Sequence, residues 1–138
     1  MTRRFLLDTS ALARFGKPQV RLVLQPLHVA GLLAVCGPVA VEVMHSARSA
    51  KDAKRIKEGL SGFDWLPSPD EVWDRALEVQ AGLITKGTWR GVPLPDLIVA
   101  ATAERHSATV LHYDADFELI SAVTGQPHQW VVPAGTAD

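Results

Sequence analysis

The acids of this chain are not scattered evenly over its apolar pattern. Asp8 follows the run RFLL and Asp114 follows TVLHY, so each stands immediately after a predicted strand. Glu42 and Asp96 fall in predicted helices that follow a strand or a loop, and Asp116 lies two residues beyond Asp114. In an open parallel sheet the carboxyl ends of strands and the amino ends of the following helices share one edge, where ligands bind. The placement predicts that Asp8, Glu42, Asp96 and Asp114 meet at that edge, with Asp116 within reach. Taken singly, each acid has a plainer role. Asp96 and Asp116 can complement helix dipoles, Asp8 can cap a helix, and Glu42 can face solvent. The joint placement favours a site. Glu42 sits within PVAVEVM, where a lone carboxylate is costly unless it faces a polar cleft. Clustered carboxylates repel, and a hard cation is the usual remedy. Oxygen-only ligands with spare water positions favour Mg²⁺ or Mn²⁺.

Other chemistry is poorly served. The chain has neither a Walker-type phosphate loop nor a GxGxxG fingerprint. Its five histidines, His28, His45, His106, His112 and His128, show no HExxH spacing, and Cys36 is the single cysteine. That argues against zinc and excludes an internal disulfide framework. His112, inside an apolar run, reads as a satisfied core or sheet-edge residue. Ser10 has no evident base to make it a nucleophile and reads as a cap, or as a hydrogen-bond partner of a carboxylate or a bound water. Arg48, Lys51, Lys54, Arg55 and Lys57 suit phosphate contacts and an exposed helix face about equally. Trp89 beside Arg90 suits base stacking or packing over the core.

Short strands alternating with helices are needed to hold such a set, and the hydrophobic pattern supplies them. Strands are predicted at 4–7, 32–36, 63–66, 109–113 and 129–132. Thr9 and Ser10 are helix-cap candidates before ALARF, and Val20, Val23, Leu24 and Leu27 give a helix from Pro18 to about Ala30. Further helices are predicted from Pro38 through His45, from Ser49 to Leu60, from Pro69 through Ile84, from Leu97 to His106 and after Asp116, with 87–95 as a loop. The pattern implies a three-layer α/β/α domain with a mainly parallel sheet. At 138 residues the chain is read as a single domain, with its core over about 4–133. Residues 22–41 carry no Asp, Glu, Lys or Arg and match a membrane span in length. Pro26, Gly31, Gly37 and Pro38 are expected to break a helix there, so the expectation is a soluble, cytoplasmic protein. Fourteen Lys and Arg against fifteen Asp and Glu give a net charge of −1, which excludes a blanket basic coat but allows local patches.

Together the segments FLLDTSAL, PVAVEVMHSAR, GVPLPDLIVAATAERH and TVLHYDADFELI resemble the PIN-domain family, specifically the VapC-like ribonuclease toxins. The resemblance runs from residue 4 to about residue 133 in matching order. It places the family's acids on Asp8, Glu42, Asp96 and Asp114, a further acid on Asp116, and the small hydroxyl position on Ser10. It implies a Mg²⁺- or Mn²⁺-dependent endoribonuclease that hydrolyses RNA with an activated water. Asp8 and Asp96 would hold the metal most directly, with Glu42 and Asp114 bonding it directly or through water. It also implies a small antitoxin partner, in a homodimer or a hetero-oligomer with that antitoxin. Two other classes are weighed against this one: a phosphatase with Asp8 as nucleophile, whose second acid would fall on Ser10, and an inert RNA- or protein-binding module.

Overall fold

The computed structural model describes residues 3–138. In chain order the described elements are β1 (Phe5–Leu7), α1 (Thr9–Leu12), α2 (Pro18–Val29), β2 (Leu33–Val35), α3 (Gly37–His45), α4 (Ala50–Leu60), β3 (Asp64–Trp65), α5 (Asp70–Lys86), a 3₁₀ turn (Trp89–Gly91), α6 (Leu94–Arg105), β4 (Thr109–His112), α7 (Asp116–Thr124) and β5 (His128–Trp130). The five strands form one sheet in the order β3-β2-β1-β4-β5, and every pairing is parallel. With its flanking helices this is the expected α/β/α architecture.

The order follows from where apolar side chains can go. β1, β2 and β4 are the central strands, and Leu6, Leu7, Leu33, Ala34, Val35, Val110 and Leu111 in them are buried. A strand covered on both faces has no use for alternation, so these runs are continuously apolar. From β1 the chain steps to β2 and β3 on one side, then returns to place β4 on the other. The carboxyl ends of β1 and β4 therefore flank the switch point of the sheet, where a crevice opens.

Helix α6 is apolar on all sides because it lies inside: every residue from Asp96 to Ala103 is buried. It begins at Leu94, three residues ahead of the expected start. Pro95 falls in the first turn, where a missing N–H costs nothing. The helix expected from Pro18 to about Ala30 is α2, which runs through Pro26 and ends at Val29. Leu22 and Pro26 both lie on the exposed side of the helix, so the carbonyl that loses its partner is near water. Gly31, at φ +72°, makes the turn that follows. No helix among the described residues is long and apolar enough to cross a membrane.

Beyond residue 133 the chain packs back onto the domain. Ala137 is buried, its carbonyl accepts from Arg14 Nε at 2.9 Å, and its N–H donates to the Tyr113 hydroxyl at 2.9 Å.

Candidate metal centre

Asp8 is the first residue past β1 and the N-cap of α1. Its Oδ2 accepts from Ser10 N at 3.0 Å and from Ser10 Oγ at 2.6 Å. The cap is thus Asp8, not Thr9 or Ser10, because the chain turns into the helix directly at the strand end. Ser10 Oγ in turn accepts from the N–H of Tyr113, just past β4, at 2.9 Å. One hydroxyl therefore ties the Asp8 carboxylate to the neighbouring strand, the carboxylate-bonding role expected for Ser10.

Asp96, in the first turn of α6, and Asp114, after β4, complete a group with Asp8. One carboxylate oxygen from each lies within 4.8 Å of the others. Asp8 and Asp96 are 2% and 6% exposed, and Asp114 is half-buried. Asp8 Oδ1 and Asp96 Oδ2 are buried without a hydrogen-bond partner among the described residues. An unmet carboxylate oxygen is expensive, and two on members of one cluster mark a place for a counter-charge. The donor set is all oxygen, which fits a hard divalent cation.

The electrostatics point the same way. Burial, then repulsion from Asp8, Asp114 and Asp116, pushes the Asp96 carboxyl up to about 8. Burial also raises Asp8, against the opposing pull of its Ser10 bonds. Asp116 is lifted to about 6 by burial and by Asp114. Without a cation the cluster relieves repulsion by keeping protons.

The remaining expected residues stand around this group. Asp116 leads α7, and its N–H donates to Asp114 Oδ1 at 2.9 Å. Glu42, on α3, is outside the group of three and exposed. Its Oε1 accepts from Thr9 Oγ1 at 2.8 Å, and its charge still contributes to raising Asp8. Glu42 pays no burial cost within PVAVEVM, as expected of a lone carboxylate there, because this side of α3 faces water: Val41 is 71% exposed. The phosphatase pattern is unsupported as well, since Ser10 is committed to bonding Asp8.

Sequence reasoning missed the ties behind the carboxylates. Asp114 N donates to His112 Nδ1 at 3.1 Å, and His112 Nε2 meets His128 Nδ1 at 2.8 Å. Accepting from Asp114 N leaves the His112 proton on Nε2, which then donates to His128. His112 is fully buried in β4, between β1 and β5, and stacks on Phe117 with ring centroids 4.9 Å apart. It is the satisfied core residue expected, and it also anchors Asp114. The only sequence signal was a histidine two residues before an acid. Trp89 packs partly against the core, with the Arg90 guanidinium 5.0 Å from its ring centroid.

The site is thus a switch-point crevice of a parallel sheet that gathers three aspartates, two of them buried, from two strand ends and one helix start, a set that could hold a metal ion. Residues 5–123 match the PIN domain family, and the chain belongs to it. It is 46% identical to Ribonuclease VapC51 of Mycobacterium tuberculosis over 138 residues, covering 100% of both chains. It is 49% identical to Ribonuclease VapC21 of the same organism, over 99% of this chain and 100% of that one. The fold is similar to the crystal structure of DNA-bound VapBC from Salmonella typhimurium, with a TM-score of 0.76 at 17% identity over 95% of this chain and 100% of that chain.

Proposed function

We propose that this chain is a divalent-metal-dependent endoribonuclease, the toxin of a toxin–antitoxin pair, which hydrolyses RNA phosphodiester bonds with water as nucleophile. The observation that carries the reading is the aspartate trio, with two of its buried oxygens unpartnered. The relatives named Ribonuclease VapC support RNA as the substrate. Asp8 and Asp96 would hold the ion directly, and Asp114 directly or through water. Glu42, set back behind Thr9, would act through water. A bound Mg²⁺ or Mn²⁺ supplies Lewis acidity, lowering the pKa of water and offsetting charge on the scissile phosphate.

The chain's own residues prepare this. Ser10 fixes Asp8 through Oδ2, which leaves Oδ1 without a partner. The His112 ring holds the backbone that carries Asp114. Asp116, lifted to about 6, is poised to take up a proton near neutral pH beside Asp114. The expected partner is a small antitoxin that closes the cleft. An Arg from it would suit the trio, since a guanidinium bonds carboxylates in two-pronged fashion and stays charged.

The test is cleavage of RNA by the purified protein. Activity should require Mg²⁺ or Mn²⁺, disappear in EDTA, and leave 5′-phosphate and 3′-hydroxyl ends. Products with a 2′,3′-cyclic phosphate would mean attack by the RNA's own 2′-hydroxyl and would overturn the mechanism.

A further inference from the structure

A groove of about 480 Å³ opens between α1, α3 and α4, with Thr9, Glu42, Arg48, Asp52 and Arg55 in its lining. Thr9, which follows Asp8, and Glu42, which it hydrogen-bonds and whose charge helps raise the Asp8 carboxyl, bring one end of the groove next to Asp8. The other end is basic. Arg48 and Arg55 line it, and Lys51, Lys54 and Lys57 stand near them in sequence, five cations within ten residues against one acid, Asp52. Core packing does not explain them, since α4 contributes no buried residue.

Asp52 holds this end together. Its Oδ2 accepts from Arg48 N at 3.0 Å, and its Oδ1 accepts from Arg55 Nε and Nη2 at 3.2 and 2.8 Å. These bonds, to Arg48 N first and then to Arg55, hold the Asp52 carboxyl below its usual range. Arg55 is thus oriented through one side of its fork. Its Nη1 and the whole Arg48 guanidinium have no partner among the described residues, and both arginines line the groove. An acidic floor repels a polyanion, so a strand that reaches the trio needs its flanking phosphates neutralised nearby. Unspent guanidinium donors along the groove that leads to the trio answer that need, and Leu12 and Ile56 give an apolar wall for ribose and base.

We propose that this groove is a track for single-stranded RNA, in which Arg48 and Arg55 bind phosphates flanking the scissile one. The proposal rests on the nuclease reading of the trio.

The test is the double variant Arg48→Gln/Arg55→Gln, in two assays. In steady-state cleavage of a labelled oligoribonucleotide, KM should rise about tenfold or more while kcat stays within about twofold, as expected on losing two charge-assisted bonds that bind without reacting. In binding measured on an uncleaving Asp96→Asn background, the slope of log affinity against log salt should become shallower by about 1.4, for two lost single-strand phosphate contacts. The control Arg4→Gln/Arg105→Gln makes the same charge change at the opposite edge of the sheet, before β1 and at the end of α6, and should move neither readout.

Unchanged KM and salt slope would overturn the proposal and leave the groove to another ligand, such as an acidic segment of a protein partner. A fall in kcat at constant KM would overturn it too, as would a control that behaves like the groove variant. The two readings fail separately. A wild type that binds RNA without cleaving it would sink the nuclease reading while the salt slopes still decide the groove, and a wild type that binds no RNA would sink both.

Discussion

Asp96→Asn separates a metal ligand from a structural acid. In the metal-free protein the Asp96 carboxyl is pushed from 3.8 up to about 8, by burial first and then by Asp8, Asp114 and Asp116. Above pH 3.8 the unfolded chain has released this proton and the folded chain keeps it, so wild-type stability falls as pH rises and levels off near pH 8. Each such pH unit lowers stability by about 1.4 kcal/mol, so by pH 7 the cost is on the order of 4 kcal/mol. An asparagine keeps the shape, carries no charge, and can still donate to Asp114. In EDTA at pH 7 the variant should therefore be more stable than wild type by roughly 2–4 kcal/mol, with a difference close to zero near pH 4. Urea unfolding at pH 4, 5.5, 7 and 8 reads this directly. A variant less stable than wild type by the same amount at every pH would show Asp96 to be a helix-start residue and refute the reasoning.

Ser10→Ala should cost about 1–3 kcal/mol in urea unfolding, since it strips a bond from buried Asp8 and leaves Tyr113 N unmet. It should also weaken Mn²⁺ binding, a loss a calorimetric titration would detect. His112 is held down at about 4 by burial and then by His128, so from pH 6.5 downward the unfolded chain binds a proton that the folded chain refuses. Wild-type stability falls with pH across that window, and any advantage of wild type over His112→Gln should shrink by roughly 2–3 kcal/mol between pH 6.5 and 4. In Gly82→Ala the new Cβ would lie 2.6 Å from Val123 Cγ1, where α5 and α7 meet, and the β-branched valine has little room to turn. Thermal unfolding should show a loss of about 1–3 kcal/mol, with Mn²⁺ binding unchanged.

The frame of the site was readable because parallel strands advertise themselves. Runs such as RFLL and TVLHY are apolar without alternation, and the acid that ends each one falls at the ligand-binding edge. Two things were not readable. One was which apolar stripe of a helix faces inward. On α5, Val72, Ala76, Val79 and Leu83 are buried, whereas the adjacent stripe of Trp73, Leu77 and Ile84 is exposed. On α3 the same ambiguity made the surroundings of Glu42 look wholly apolar when Val41 and Glu42 face water. The other was tertiary bonding across long separations. Ser10 reaches Tyr113 N, and His112 meets His128, through sheet neighbours that no local pattern records.

The central claim, that Asp8, Asp96 and Asp114 form one divalent-cation site, is tested most directly by counting protons on metal binding. At pH 7 the Asp96 carboxyl, lifted to about 8, is mostly protonated, and a cation bound by the trio must displace that proton. Titrating Mn²⁺ into the wild type by calorimetry, in two buffers of different ionisation enthalpy, should show one site and release of close to one proton. Asp96→Asn should bind far more weakly and release none. Binding of equal strength in both proteins, or binding with no proton released by wild type, would contradict the account.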